Sequence, residues 1–130
     1  DKIRYIEKLA HRDLTRMMSQ AKGFLFPIKW DEPFGMVVIE AMAAGTPVLA
    51  YGRGSMPELI KHGETGYLVQ TEDEMVDSMQ RLQMLDRLRC RNWVRERFSV
   101  EQMIDGYERL YGSVAKGPHI KTASKANDGP

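Results

Sequence analysis

A single cysteine, Cys90, occurs among the 130 residues, so no disulfide can form within the chain, and a reducing, cytoplasmic setting is expected. An excess of either charge is also missing. Lys and Arg number 19 against 18 Asp and Glu, a net charge of +1, which gives a polyanion no bulk attraction and disfavours a nucleic-acid partner. Long apolar runs are absent. Residues 36–44 make the most apolar stretch, Glu40 interrupts it, and it falls well short of the roughly 20 residues that cross a bilayer. The opening Asp1-Lys2-Ile3-Arg4-Tyr5 has no signal-peptide character. No internal repeat is visible. What remains is an ordinary globular balance, 42% hydrophobic and 28% charged, enough for one modest domain around a single core.

Periodicity divides the chain into short elements. Residues 2–6 alternate, Ile3 and Tyr5 against Arg4, which predicts a strand that begins almost at the first residue. A domain that opens in mid-strand reads as part of something longer. Leu14, Met17, Met18 and Ala21 recur at helical spacing, with His11 as an exposed residue at the helix entry. Phe24-Leu25-Phe26 between Gly23 and Pro27 reads as a buried strand. Val48-Leu49-Ala50-Tyr51 is apolar throughout, as a strand covered on both faces should be. Ser55, Pro57 and Glu58 suggest a capped short helix after the Gly52-Arg53-Gly54 loop, and Gly66-Tyr67-Leu68-Val69 a last strand. Thr71 and Glu74 form a capping box ahead of a longer helix, and a final helix opens after Ser99. The nine methionines read as core filling in the helices. The arginines from Arg87 to Arg97 read as a solvated basic face. A domain over residues 1–115 and a disordered tail over 116–130 follow.

The stretch from Trp30 to Gly45 is the centre of the pattern. It is a loop and a helix bracketed by two strands, a βαβ unit, and ligands gather at the carboxyl ends of strands in such units. Pro33 suits the first turn of a helix. Gly35 lets a ligand approach the backbone at Phe34-Gly35-Met36, where unpaired N–H groups favour an anion such as a diphosphate. Glu32 lies just outside the helix and Glu40 inside it, with seven residues between them. The helix covers roughly 7.5 Å from Gly35 to Glu40. The two carboxylates can therefore address different parts of one elongated ligand, and a carboxylate accepts well from vicinal sugar hydroxyls. Two plain readings stand beside this one: Glu32 as an acid complementing the helix dipole, Glu40 as a solvated helix residue. Against the second, a charge in an apolar run must be paired or line a cleft. Trp30 either packs over the loop, the commoner role of so large a side chain, or stacks on a ligand.

Phe26-Pro27, Glu32-Pro33-Phe34-Gly35, Glu40-Ala41-Met42-Ala43-Ala44-Gly45-Thr46-Pro47-Val48, Gly54, Pro57-Glu58 and the run from Gly63 to Val69 together resemble the donor-binding domain of group-1-type retaining glycosyltransferases. The resemblance covers residues 3 to 111. It implies an α/β fold, a Rossmann-like parallel sheet flanked by helices, within the C-terminal domain of the two-domain GT-B architecture. Glu32 and Glu40 satisfy the Glu-x7-Glu signature of these enzymes. The resemblance implies that Glu32 contacts the donor sugar and supports charge at the anomeric centre. The backbone at Phe34, Gly35 and Met36 meets the sugar and diphosphate, Val37 lies near the nucleotide, and Glu40 holds the ribose hydroxyls. The implied reaction is transfer of a hexosyl group from a nucleoside diphosphate sugar, with retention and without a metal or other cofactor.

Glu7 stands where the family usually has glycine. The family's diphosphate-binding Arg and Lys fall before residue 1, and the acceptor is bound by an N-terminal domain outside this chain. The chain alone is therefore expected to be inactive. Peripheral membrane association of a longer parent stays open. Two alternatives remain: a nucleotide-sugar-binding or interaction module without transferase activity, and part of a GT-B-like nucleotide-sugar epimerase.

Overall fold

The structure, a computed structural model, describes residues 3–115. The chain divides into two units, Asp1–Ser99 and Val100–Pro130. In the first, α1 (His11–Gln20) leads into β1 (Phe24–Phe26), α2 (Met36–Ala43), β2 (Val48–Tyr51), α3 (Met56–Leu59), β3 (Gly66–Val69), α4 (Glu72–Leu82) and α5 (Arg87–Arg97). The three strands form one parallel sheet in the order β1-β2-β3, with Phe24 beside Val48 and Val48 beside Gly66. Each parallel step crosses over through a helix, as it must.

The central strand shows why the sheet is stable. All four residues of β2 are buried, and they alternate between two cores. Val48 and Ala50 face a cluster that includes Phe26, Val38, Met42, Leu59 and Cys90. Leu49 and Tyr51 face Val69, Met75 and Leu82, the last two on α4. Helices thus cover both faces, which is what a strand without polar positions requires. Methionine fills this core only in part: Met18, Met42, Met56 and Met75 are buried, whereas Met36, Met84 and Met103 are well exposed.

Several local expectations are met. Thr71 caps α4 by accepting from the Glu74 amide at 3.2 Å, while the Glu74 carboxylate accepts from the Gln70 amide at 2.7 Å. Others are not. Residues 3–10 have no regular secondary structure, so the strand expected from Ile3 onward does not form. Ile3 and Tyr5 are 89% and 87% exposed, and a strand without a paired neighbour has nothing to fix it. Ser55 occupies the N-cap position of α3 without a capping hydrogen bond. Its hydroxyl donates instead to the Phe34 carbonyl at 2.7 Å.

Arg89, Arg91, Arg95 and Arg97 of α5 are exposed, and Arg89 pairs with Glu64, as a solvated face beside acids should be. Arg87 is half-buried and departs from that reading. Arg87 donates to the carbonyls of Ala21 (2.6 Å) and Ser19 (2.7 Å) and to Thr46 Oγ1 (3.1 Å). Arg91 donates to the Ala43 carbonyl at 3.1 Å. Neither α1 nor α2 carries a basic residue in its last turn. The cations that complement their unpaired carbonyls and negative dipole ends come from α5.

In the second unit, α6 (Val100–Ala115) has no buried residue. Val100, Met103, Ile104, Tyr107, Leu110, Tyr111 and Val114 are all exposed and share one face by their spacing. The tail expected to be disordered lies outside the described residues.

Candidate functional site

The β1–α2 connection is organised by its end. Gly35 is the N-cap of α2, with φ +92° and ψ 54°, a left-handed conformation that glycine adopts at no steric cost. Pro33 therefore stands ahead of the helix and not in its first turn, a correction to the expected boundary. A side chain at Gly35 would also collide with the protein. Its Cβ would lie 2.8 Å from Met56 Cε and 3.2 Å from Leu59 Cδ1. The positive φ is what demands the glycine, and the packing of α3 beneath the turn, through Leu59 and the movable end of Met56, adds to the cost of any side chain there. The amides of Val38 and Ile39 both reach the Gly35 carbonyl, at 3.0 and 3.4 Å. Those of Met36 and Val37 open the helix and have no carbonyl of α2 to receive them.

The β2–α3 loop clamps this connection from the side. The Ser55 amide donates to the Glu32 carbonyl at 2.9 Å, the Ser55 hydroxyl to that of Phe34, and the Arg53 guanidinium to that of Lys29. Gly54 has φ +54°, and a Cβ there would sit 2.7 Å from both the N and the O of Glu32. Only a glycine allows the two loops to approach so closely. Both loops leave the carboxyl ends of their strands, the edge where such folds bind ligands. Lys29 on the same edge is bonded to Glu72 at 2.8 Å, a hydrogen bond that raises the lysine's pKa above its ordinary value.

The two carboxylates stand in different settings. Glu32 is half-buried, and its Oε2 accepts from the Trp30 indole N–H at 3.2 Å. Glu40, also half-buried, lines a groove of about 550 Å³ whose other walls include His11, Arg12 and Arg16 of α1 and Arg91 of α5. A charge in an apolar helix was expected to be paired or to line a cleft, and Glu40 lines one. Glu32 is not among the walls of that groove. Phe34 and Met36 are exposed, Gly35 is buried and Val37 is half-buried against the core. Trp30 is 64% exposed, so it does not pack over the loop, contrary to the commoner role of its type. The clamp by Arg53 and Ser55 was not foreseen. Glycine on both sides of Arg53 was its one signal in the sequence.

Comparison with known proteins matches this geometry to a family. The family model described as glycosyl transferases group 1 matches residues 1–96. N-acetyl-alpha-D-glucosaminyl L-malate synthase of Bacillus anthracis is 35% identical over 118 residues, which cover 85% of this chain and 28% of that protein. D-inositol 3-phosphate glycosyltransferase of Streptomyces scabiei is 40% identical over 73 residues, 56% of this chain and 16% of that protein. Among solved structures, sucrose-phosphate synthase of Thermosynechococcus elongatus superposes with a TM-score of 0.70 at 30% identity, over 83% of this chain and 30% of that one. Anabaena Alr3699/HepE in complex with UDP-glucose superposes at 0.64 and 23% identity, over 78% of this chain and 30% of that one, a likeness of fold. The chain spans less than a third of the length of each of these relatives. Its open parallel sheet with flanking helices is the Rossmann-like architecture of the C-terminal domain of GT-B enzymes. By family match, relatives and fold alike, the chain belongs to the group 1 glycosyltransferases.

Proposed function

We propose that this chain is the donor-binding part of a retaining glycosyltransferase that moves a hexosyl group from a nucleoside diphosphate sugar to an acceptor. The observation that carries the proposal is the α2 entrance. A left-handed glycine ends the loop, two first-turn amides follow it, and an acid stands on either side. In this reading the amides of Met36 and Val37 receive diphosphate oxygens, where the helix end contributes about half a positive charge. As the bond from the sugar to the diphosphate breaks, negative charge grows on the leaving oxygen, and fixed dipoles there stabilise it without reorganising. Glu32 contacts the sugar and supports the positive charge developing at its anomeric carbon. Glu40 accepts from the ribose hydroxyls, for which an acceptor-only carboxylate is suited. Phe34, Gly35 and Met36 contribute backbone, and Val37 borders the nucleotide. No metal is needed in this scheme.

The separation of Glu40 from Glu32 fits a ligand that passes over the α2 entrance and closes against a second domain supplied by the acceptor side. The chain by itself then binds donor weakly and transfers nothing. The test is calorimetric titration of the chain with UDP-glucose and other nucleoside diphosphate sugars, with amide spectra recorded in parallel. Saturable binding that shifts the Met36 and Val37 amides is expected. Glu40→Ala should weaken it about tenfold or more, the loss of charge-assisted hydrogen bonds. No heat and no amide shift with any member of the panel would leave an interaction module as the better account.

A further inference from the structure

We infer that Trp30 is a positioning residue for Glu32, acting through its indole N–H; this rests on the donor-site reading above. Three observations point to it. The Glu32 backbone is held on both sides, by the Ser55 amide on its carbonyl and by Gly54 packed against its N and O. The side chain is the part left to move, and the Trp30 Nε1–H holds Oε2 at 3.2 Å. Among the described residues Oε1 has no hydrogen bond, so one oxygen is anchored and one is available. Finally, Trp30 leaves a large ring 64% exposed, a poor use of a tryptophan if packing were its task.

Trp93 supplies the contrast within the same chain. Its indole N–H donates to the Leu59 carbonyl at 2.7 Å, its ring lies under the Arg97 guanidinium at 4.2 Å, and it is half-buried. That tryptophan serves packing. Trp30 gives its one polar atom to a side-chain carboxylate two residues along the loop. An indole is a donor only, so it fixes the carboxylate without competing for the hydroxyls a sugar would present to it. The result is a carboxylate oriented before ligand arrives, which spares the ordering of a long side chain at binding.

The chain has two tryptophans, so its ¹⁵N spectrum carries two indole resonances, assigned with W93F. Glu32→Ala should move the Trp30 resonance and leave that of Trp93 in place. UDP-glucose affinity should fall about five- to tenfold in W30F, the loss of one hydrogen bond, and by the same factor in W30A. In the E32A background W30F should have no further effect. With UDP, which lacks the sugar, W30F should bind as the wild type does. An unmoved Trp30 resonance in E32A overturns the contact, whatever the chain binds. Wild-type affinity in W30F with weak binding in W30A assigns the role to the ring and overturns the inference, as does an undiminished W30F effect in E32A. If the resonances couple as expected but UDP-glucose does not bind at all, the donor-site reading fails and the role falls with it, while the contact stands. The melting temperature and the Trp93 resonance of each variant show that the fold is kept.

Discussion

Replacing Arg87 with methionine should destabilise the first unit more than any other change to a charged residue of α5. The guanidinium makes three hydrogen bonds, to the carbonyls of Ser19 and Ala21 and to Thr46 Oγ1. Thr46 is fully buried and itself donates to the Met18 carbonyl at 2.5 Å, so one ion joins the end of α1, the turn before β2 and the start of α5. A hydrogen bond contributes about 0.5–1.5 kcal/mol net, and the low end of that range applies where water can replace the donor. Arg87 is half-buried, and with the favourable charge at the end of α1 a loss of about 2–3 kcal/mol follows. For a unit of this size that lowers the thermal midpoint by about 10 °C. Urea denaturation followed by circular dichroism would read it as a midpoint shift of about 1–1.5 M, taking a slope near 2 kcal/mol per M. R87K keeps the charge but not the planar fork, and should recover less than half of the loss. A loss below about 0.5 kcal/mol in R87M, an ordinary surface substitution, or a lysine variant equal to the wild type, would refute the assignment of Arg87 as the tie between these elements.

Two further outcomes are expected. Gly54→Ala puts a Cβ 2.7 Å from two backbone atoms of Glu32, so it should cost about 2 kcal/mol or more and displace the Glu32 and Phe34 amide resonances; unchanged stability and spectra would show that the loops do not meet there. Burial pushes the Cys90 thiol up from 9.0 to about 11. The folded state then favours the protonated thiol, so its contribution is intact below pH 9 and is lost as the pH rises towards 11, up to about 3 kcal/mol. The stability of C90A should fall less steeply than that of the wild type over that range, and parallel profiles would discount the burial.

The sequence made legible what depends on neighbours along the chain. The uniform apolarity of Val48, Leu49, Ala50 and Tyr51 announced a strand covered on both faces, and Thr71 with Glu74 announced a helix start, because each signal and its cause lie within a few residues. Glu40 within an apolar helix correctly announced a cleft. The misreadings concern partners far away in the chain. Arg87 meets acceptors 66 and 68 residues earlier, and nothing in an arginine-rich helix tells whether its cations meet water or carbonyls. Gly35 reads as an opening for ligand, and the Met56 and Leu59 side chains that also border it are a contact no residue near it in the chain announces. The alternation of Ile3, Arg4 and Tyr5 has strand character, but a strand also needs a neighbour to pair with. The separation of Glu32 from the groove of Glu40 was hidden for a similar reason, since the walls of that groove come from α1 and α5.

The debt of α1 and α2 to α5 has a consequence for biosynthesis. Polypeptide leaves the ribosome amino end first, so both helices emerge tens of residues before Arg87 and Arg91, with their local caps from Ala21, Gly45 and Thr46 in reach but the carbonyls of Ser19, Ala21 and Ala43 still without those cations. Maturation of this unit is therefore coupled to completion of its last helix, and a product that ends before Arg87 would lack the ties to Ser19, Ala21 and Thr46 and stay more open to proteases.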